Sequence, residues 1–191
     1  MENSLYPYIL LYILPLLLRG THATSSSCFN AEVTLSGTPA LGPSDVQFES
    51  CLSGADSPKV VPYNLTSFDW WYFDAVSEDG AEGLVIVFYS ASEASFPFDL
   101  DLQSDLSVMV QGTWEGGSSS LLYSSYTRLA TVSTVGDGSN GNWIDAGGSW
   151  TSTPDLSQYS ISIDNENVSG TFNLESVSRH IYFSLFKSSL D

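Results

Sequence analysis

From about residue 63 onward, apolar and polar positions alternate in short blocks set apart by Gly, Asn and Asp, the two-residue period of half-buried strands. The blocks predict strands at 68–76, 83–90, 99–111, 119–130, 141–150, 159–164 and 168–174. Turn residues separate them at 78–80, 115–117, 136–141 and 164–167, where Gly and Asn accept positive φ and Asp or Asn folds back on its own backbone. No stretch carries sustained helical periodicity, and there is no internal repeat or interdomain linker. Many short strands joined by tight turns predict an all-β fold, an antiparallel β-sandwich or barrel. Residues 24–62, rich in Ser, Gly and Pro, read as irregular, leaving 63–176 as the β-rich domain.

One block stands out. Phe68-Asp69-Trp70-Trp71-Tyr72-Phe73-Asp74 places four adjacent aromatic rings between two carboxylates. In an extended chain Phe68, Trp70, Tyr72 and Asp74 point one way and Asp69, Trp71 and Phe73 the other. Both faces are then aromatic, as expected of a strand covered on both sides. The pattern leaves open which face belongs to the core and which to a site.

The segment from Asn64 to Val76, its Ser-Glu-Asp-Gly turn and the run Leu84-Val85-Ile86-Val87-Phe88-Tyr89 resemble the start of the fungal lipocalin-like Diels–Alderases, relatives of the carotenoid hydratase (hydroxyneurosporene synthase) family. The likeness extends more loosely from Val46 to Leu174 through Gly112-Thr113-Trp114, Trp143 and Gly170-Thr171-Phe172. It implies the N-terminal half of a two-domain, cofactor-independent β pericyclase that holds a polyketide-derived polyene, or a quinone-methide-like substrate, in an apolar pocket. The resemblance draws pocket walls from the aromatic strand and its neighbour: Trp70, Trp71, Tyr72 and Phe88. It makes Asp74, Tyr89 and Ser90 the polar candidates, with Glu49 ahead of the strand as a further one. A lipocalin-like hydrophobic-ligand carrier without turnover, or an inactive truncated fragment, is the alternative.

Composition narrows the partners. Five Lys and Arg against 22 Asp and Glu give a net charge of −17, which repels nucleic acid and anionic lipid. Aromatic residues at 13% and hydrophobic residues at 42% supply a real core. Residues 9–18 form an apolar run too short to span a bilayer comfortably, and Thr21-His22-Ala23 suits signal-peptidase cleavage, so 1–23 reads as a signal peptide and the chain as secretory. Cys28 and Cys51 both follow that site and predict a disulfide in an oxidising compartment. Asn64-Leu65-Thr66 and Asn167-Val168-Ser169 are glycosylation sequons.

Other chemistry finds little support. There is no phosphate-binding Gly loop, nucleophile elbow or Cys-x-x-Cys, and His22 and His180, the two histidines, fall in the leader and in the tail. No metal site is expected: Asp137-Gly138-Ser139-Asn140 reads as a solvated hairpin, and Asp99 and Asp101 as ordinary alternation. Residues 177–191 change composition abruptly. They read as an anomalous tail, with Val177-Ser178 matching the in-frame translation of a common fungal intron donor. Loss of a second domain would leave exposed apolar surface, so oligomers are expected.

Overall fold

The computed structural model describes residues 32–46, 55–95 and 104–177. The proposed signal peptide, Cys28, Glu49, Cys51, Asp99, Asp101, His180 and all but the first residue of the tail lie outside the described residues. The strands are β1 (Glu32–Ser36), β2 (Asp45–Val46), β3 (Val60–Val61), β4 (Phe68–Val76), β5 (Gly83–Ala91), β6 (Leu106–Trp114), β7 (Ser119–Thr127), β8 (Leu129–Val135), β9 (Gly138–Ile144), β10 (Gly148–Ser152), β11 (Gln158–Asp164) and β12 (Ser169–Glu175). They form a six-stranded sheet in the order β1-β8-β9-β10-β11-β12, a four-stranded sheet β4-β5-β6-β7, and a β2-β3 ribbon. Every named ladder is antiparallel. The two large sheets pack face to face around one core, making a β-sandwich.

Strands β4, β5, β11 and β12 fall within a residue of the pattern's expectation. Two long expected strands are each divided. The block at 119–130 bends at Arg128, so β7 closes the smaller sheet and β8 enters the larger one; Gly37 N–H donates to Arg128 O at 2.8 Å and holds the corner. The block at 141–150 breaks where Asp145 and Gly147 take φ of 68° and 70°. β9 also starts earlier than expected, because the hairpin needs only Gly136, at φ 61°, and Asp137 to turn. The expectation of an irregular segment before residue 63 gives way at β1, which pairs with β8 from Glu32↔Ser133 to Ser36↔Leu129. Its Ser- and Gly-rich flanks conceal a strand of only five residues.

Five rings fill the centre. Trp150 sits 5.1 Å from Trp71, 5.3 Å from Trp143 and 4.7 Å from Phe88 between centroids, and Phe73 packs at 5.9 Å. Each of the three indole N–H groups has an acceptor: Trp71 donates to Asp56 O at 3.2 Å, Trp143 to Tyr89 O at 3.1 Å and Trp150 to Ser139 Oγ at 3.1 Å. Burying an indole without a partner would cost most of what its apolar surface gains. Space for Trp150 comes from Gly141, directly across the ladder, where an added Cβ would lie 2.1 Å from Trp150 Cη2.

That contact sets an expectation. Gly141→Ala should lower stability by about 1–3 kcal/mol through overpacking, read as a lower urea midpoint. Gly42→Ala, where an added Cβ meets nothing within 4 Å, should stay near the unaltered protein and serves as its control.

Candidate functional site

Alternation along β4 separates its aromatic residues into two populations. Trp71 and Phe73 face the larger sheet and are buried, whereas Trp70 and Tyr72 face outward and are 44% and 52% exposed. The ladder β4-β5-β6-β7 continues that outer face as rows. Trp70 stands beside Tyr89, then Ser107 and Tyr126; Tyr72 beside Val87, Met109 and Ser124; Asp74 beside Val85, Gln111 and Leu122. The Tyr89 ring meets Trp70 edge-on at 6.1 Å, and Phe68 flanks Trp70 at 5.5 Å. Val87, Tyr89 and Ala91, with Val85 and Met109, form a second apolar cluster on this side. At the far end a depression of about 140 Å³ is lined by Asp74, Val85, Gln111 and Thr113 among others.

The outer face therefore joins exposed rings at Trp70 and Tyr72 to a buried apolar patch at Val87, Tyr89 and Ala91, with Ser107, Gln111 and Ser124 as polar members of its rows. Burial, with the neighbouring Tyr72 hydroxyl, raises the Tyr89 pKa, so this phenol keeps its proton as a hydrogen-bond donor. The structure brings together Trp70, Tyr72, Asp74 and Tyr89 of the expected site. It sends Trp71, Phe88 and Ser90 elsewhere. Trp71 and Phe88 belong to the ring cluster, and the Ser90 hydroxyl donates inward to Asp69 O at 3.4 Å. The division follows parity: residues 70 and 72 share a face with 89, and therefore not with 71, 88 or 90. The expectation of cover on both faces of β4 fails at Trp70 and Tyr72.

A polar cluster unseen in the sequence lies at one end of the sandwich. The Asp56 carboxylate accepts from Ser139 Oγ at 2.6 Å and Tyr159 OH at 3.2 Å, and Ser139 in turn accepts the Trp150 indole. Nearby, Asp69 accepts the backbone N–H groups of Lys59 at 2.6 Å and Val60 at 3.2 Å. Burial raises the pKa of both carboxyls, against the hydrogen bonds and the Lys59 charge that lower them. Burial lowers Lys59 while the two carboxylates pull it up. Asp56 and Ser139 are 83 positions apart, so no local motif could have announced the pair. A larger groove of about 410 Å³, lined by Thr151, Thr153, Gln158, Tyr159, Leu174 and Glu175 among others, lies at β10–β12, away from the aromatic face; its lining mixes polar and apolar surface in equal measure.

Of the sequons, Asn167 is exposed, its amide donating to Tyr123 OH at 3.4 Å. Asn64 is half-buried, with its amide donating to Gly42 O at 3.1 Å and its oxygen accepting from Thr66 N at 2.8 Å. Among the described residues, no group of three His, Cys, Asp or Glu is arranged to hold a metal ion.

A family model described as Diels-Alderase-like matches residues 27–185. Two similar proteins are quinolone epoxide rearrangement proteins. One, asqO of Emericella nidulans, is 33% identical over 145 residues, covering 72% of this chain and 38% of that protein. The other, penF of Penicillium thymicola, is 37% identical over 131 residues, covering 64% and 36%. The Diels-Alderase pyiF of Pyricularia grisea is 29% identical over 129 residues, covering 66% of this chain and 29% of that protein. This chain thus spans well under half the length of each. The crystal structure of CghA with Sch210972 shares the fold, with a TM-score of 0.62 over 78% of this chain and 40% of CghA at 18% identity.

The polar cluster predicts a pH dependence. Asp56 keeps its proton to higher pH in the folded chain than in the unfolded one, so within that window the folded state binds more protons and loses stability as pH rises. Asn at position 56 removes the titration yet keeps an oxygen for Ser139 and Tyr159. The melting temperature of Asp56→Asn minus that of the unaltered protein should therefore increase as pH is raised from about 4 to 7, in parallel thermal scans. A difference that stays flat or shrinks would contradict the raised carboxyl.

Proposed function

Because this chain belongs to the Diels-Alderase-like family, we propose that its outer aromatic face forms one wall of the substrate site of a fungal secondary-metabolite pericyclase. The observation that carries this reading is the pair Trp70 and Tyr72, large rings left exposed on the outer face of the sheet, with the buried Tyr89 ring edge-on beside Trp70. A [4+2] cycloaddition moves no proton and forms no adduct with the protein. Catalysis consists of holding a flexible polyene in its reactive conformer against an apolar wall, with a hydrogen bond to an activating carbonyl. Trp70 and Tyr72 supply the wall in this reading, and the Tyr89 phenol or a group at Asp74 supplies the polar contact. The substrate is a neutral, hydrophobic, polyketide-derived molecule, consistent with a chain of net charge −17. The same proposal includes a secretory location, which the leader-like residues 1–23, the cysteines Cys28 and Cys51 and the two sequons of the sequence support.

The names of asqO and penF favour a second reading, in which the same wall holds an epoxide. Opening an epoxide for rearrangement requires a proton at the ring oxygen, whereas cycloaddition does not. Tyr89→Phe separates the two. Cycloaddition should slow by about tenfold at most through loss of one hydrogen bond, while a rearrangement that draws its proton from Tyr89 should fall by about a hundredfold or more.

The wall itself is tested by a paired substitution. Trp70→Ala should weaken binding of retinol, a neutral fluorescent polyene, by about tenfold with little change in melting temperature. Trp71→Ala should cost about 3–5 kcal/mol of stability by opening a core cavity. If Trp70→Ala unfolds the protein or leaves retinol binding unchanged, the outer face is not the wall. Turnover is tested by incubating the protein with a reactive polyene and following product stereochemistry. A pericyclase shifts the product ratio from the uncatalysed one, and a carrier leaves it as it was.

A further inference from the structure

The same two strands carry a second apolar surface on their opposite side. Leu84 and Ile86 of β5 and Val110 of β6 point inward, away from Val85, Val87 and Met109 on the outer face. Across the gap between the sheets they meet Ile163, Val168 and Phe172, and the six side chains bound a cleft of about 160 Å³ with no ionisable group in its lining.

Gly170, an exposed position on β12, leaves one side of the cleft open. Alternation along β12 places it on the side of Phe172, and the ladder pairs it with Ile163, an inward core residue. A Cβ built at Gly170 meets no atom within 4 Å. The inward glycines elsewhere behave differently. A Cβ at Gly141 would strike Trp150 at 2.1 Å, and one at Gly148 would approach Val108 at 2.8 Å and Phe88 at 2.9 Å. Those glycines make room for a neighbouring side chain, whereas Gly170 leaves the space before it unfilled. β12 is also the outermost strand of its sheet, so a ligand can enter beside it without unpairing a ladder.

We propose that this cleft is a binding site for a neutral hydrocarbon group the size of a benzene ring, separate from the outer aromatic wall. Apolar hollows of about 150 Å³ lined by Leu, Ile and Phe accept benzene, and this cleft, which opens to solvent beside the exposed Gly170, is similar in volume and in its Leu, Ile and Phe lining. Its apolar lining and the strongly negative chain disfavour a carboxylate or phosphate. The site does not depend on the outer face being a substrate wall, since no outward side chain of β4 lines it.

The test uses fluorobenzene and the full 191-residue chain. Fluorine NMR should show saturable binding that toluene displaces, with intermolecular NOEs from the ring protons to the methyl groups of Leu84 and Ile163. Gly170→Leu, which places a side chain in the hollow, should weaken binding by about tenfold or more and melt at or above the temperature of the unaltered protein. Gly42→Ala, at a position that does not line the cleft, should bind fluorobenzene as the unaltered protein does. Absence of saturable binding, or binding undiminished in Gly170→Leu, overturns the proposal. Should Gly170→Leu fail to fold, the NOEs in the unaltered protein decide, and contacts to methyl groups outside the cleft overturn it.

Discussion

The structure depends on burying three indoles without stranding their N–H groups. Trp71, Trp143 and Trp150 come from three strands of two sheets, and their close ring contacts hold the sandwich together. Each donor reaches a different kind of acceptor: a loop carbonyl at Asp56, a strand carbonyl at Tyr89 and a hydroxyl at Ser139. Those acceptors extend the constraint outward. Ser139 can accept Trp150 because its own proton goes to Asp56, and Asp56 takes a second hydrogen bond from Tyr159 on β11. The segment around residue 56 is thereby tied to both sheets. A single core requirement, one satisfied donor per indole, thus determines the end of the molecule where the buried carboxyls gather.

The same core explains an economy of charge. Only Lys59 and Arg128 of the chain's five basic residues fall among the described positions. Lys59 lies where its charge lowers the pKa of both Asp56 and Asp69, two carboxyls that burial raises against their hydrogen bonds. Exposed carboxylates such as Asp79 and Asp155 are instead stabilised by hydroxyl and backbone donors in their own turns, and need no cation. A surface this acidic remains compatible with folding because its charges are spread through turns in water, where each is solvated separately.

Much of the fold was legible because period-two alternation and turn chemistry are local. The β4 block, its hairpin to β5 and the closing β11–β12 hairpin could be read from residues a few positions apart. What escaped was non-local. Nothing near Arg128 says that a run of strand-forming residues must leave one sheet and join the other, and β1 becomes a strand only because β8 offers it an edge. The site was half legible for a related reason. An aromatic run with rings on both faces is symmetric to a reader of sequence, so Trp70 and Trp71 were equal candidates for the pocket. Packing broke that symmetry: Trp143 and Trp150 take Trp71, and parity then carries Phe88 and Ser90 into the core with it while leaving Trp70, Tyr72, Asp74 and Tyr89 outside.

Parity also couples the two sides of the small sheet. Because β5 is apolar at every position from Leu84 to Tyr89, a shift of register by one residue would exchange Val85, Val87 and Tyr89 for Leu84, Ile86 and Phe88 with little change in hydrophobicity. Hydrophobic pattern alone therefore fixes the register of β5 and β6 weakly. What fixes them is shape: Phe88 fits only between Trp143 and Trp150, and Val108 only over Gly148, where no Cβ stands in its way. The outer face is what remains once those inward positions are filled. Its exposed side chains, Trp70 and Tyr72, are thus free to answer to a ligand, because they stand outside the ring cluster that joins the two sheets.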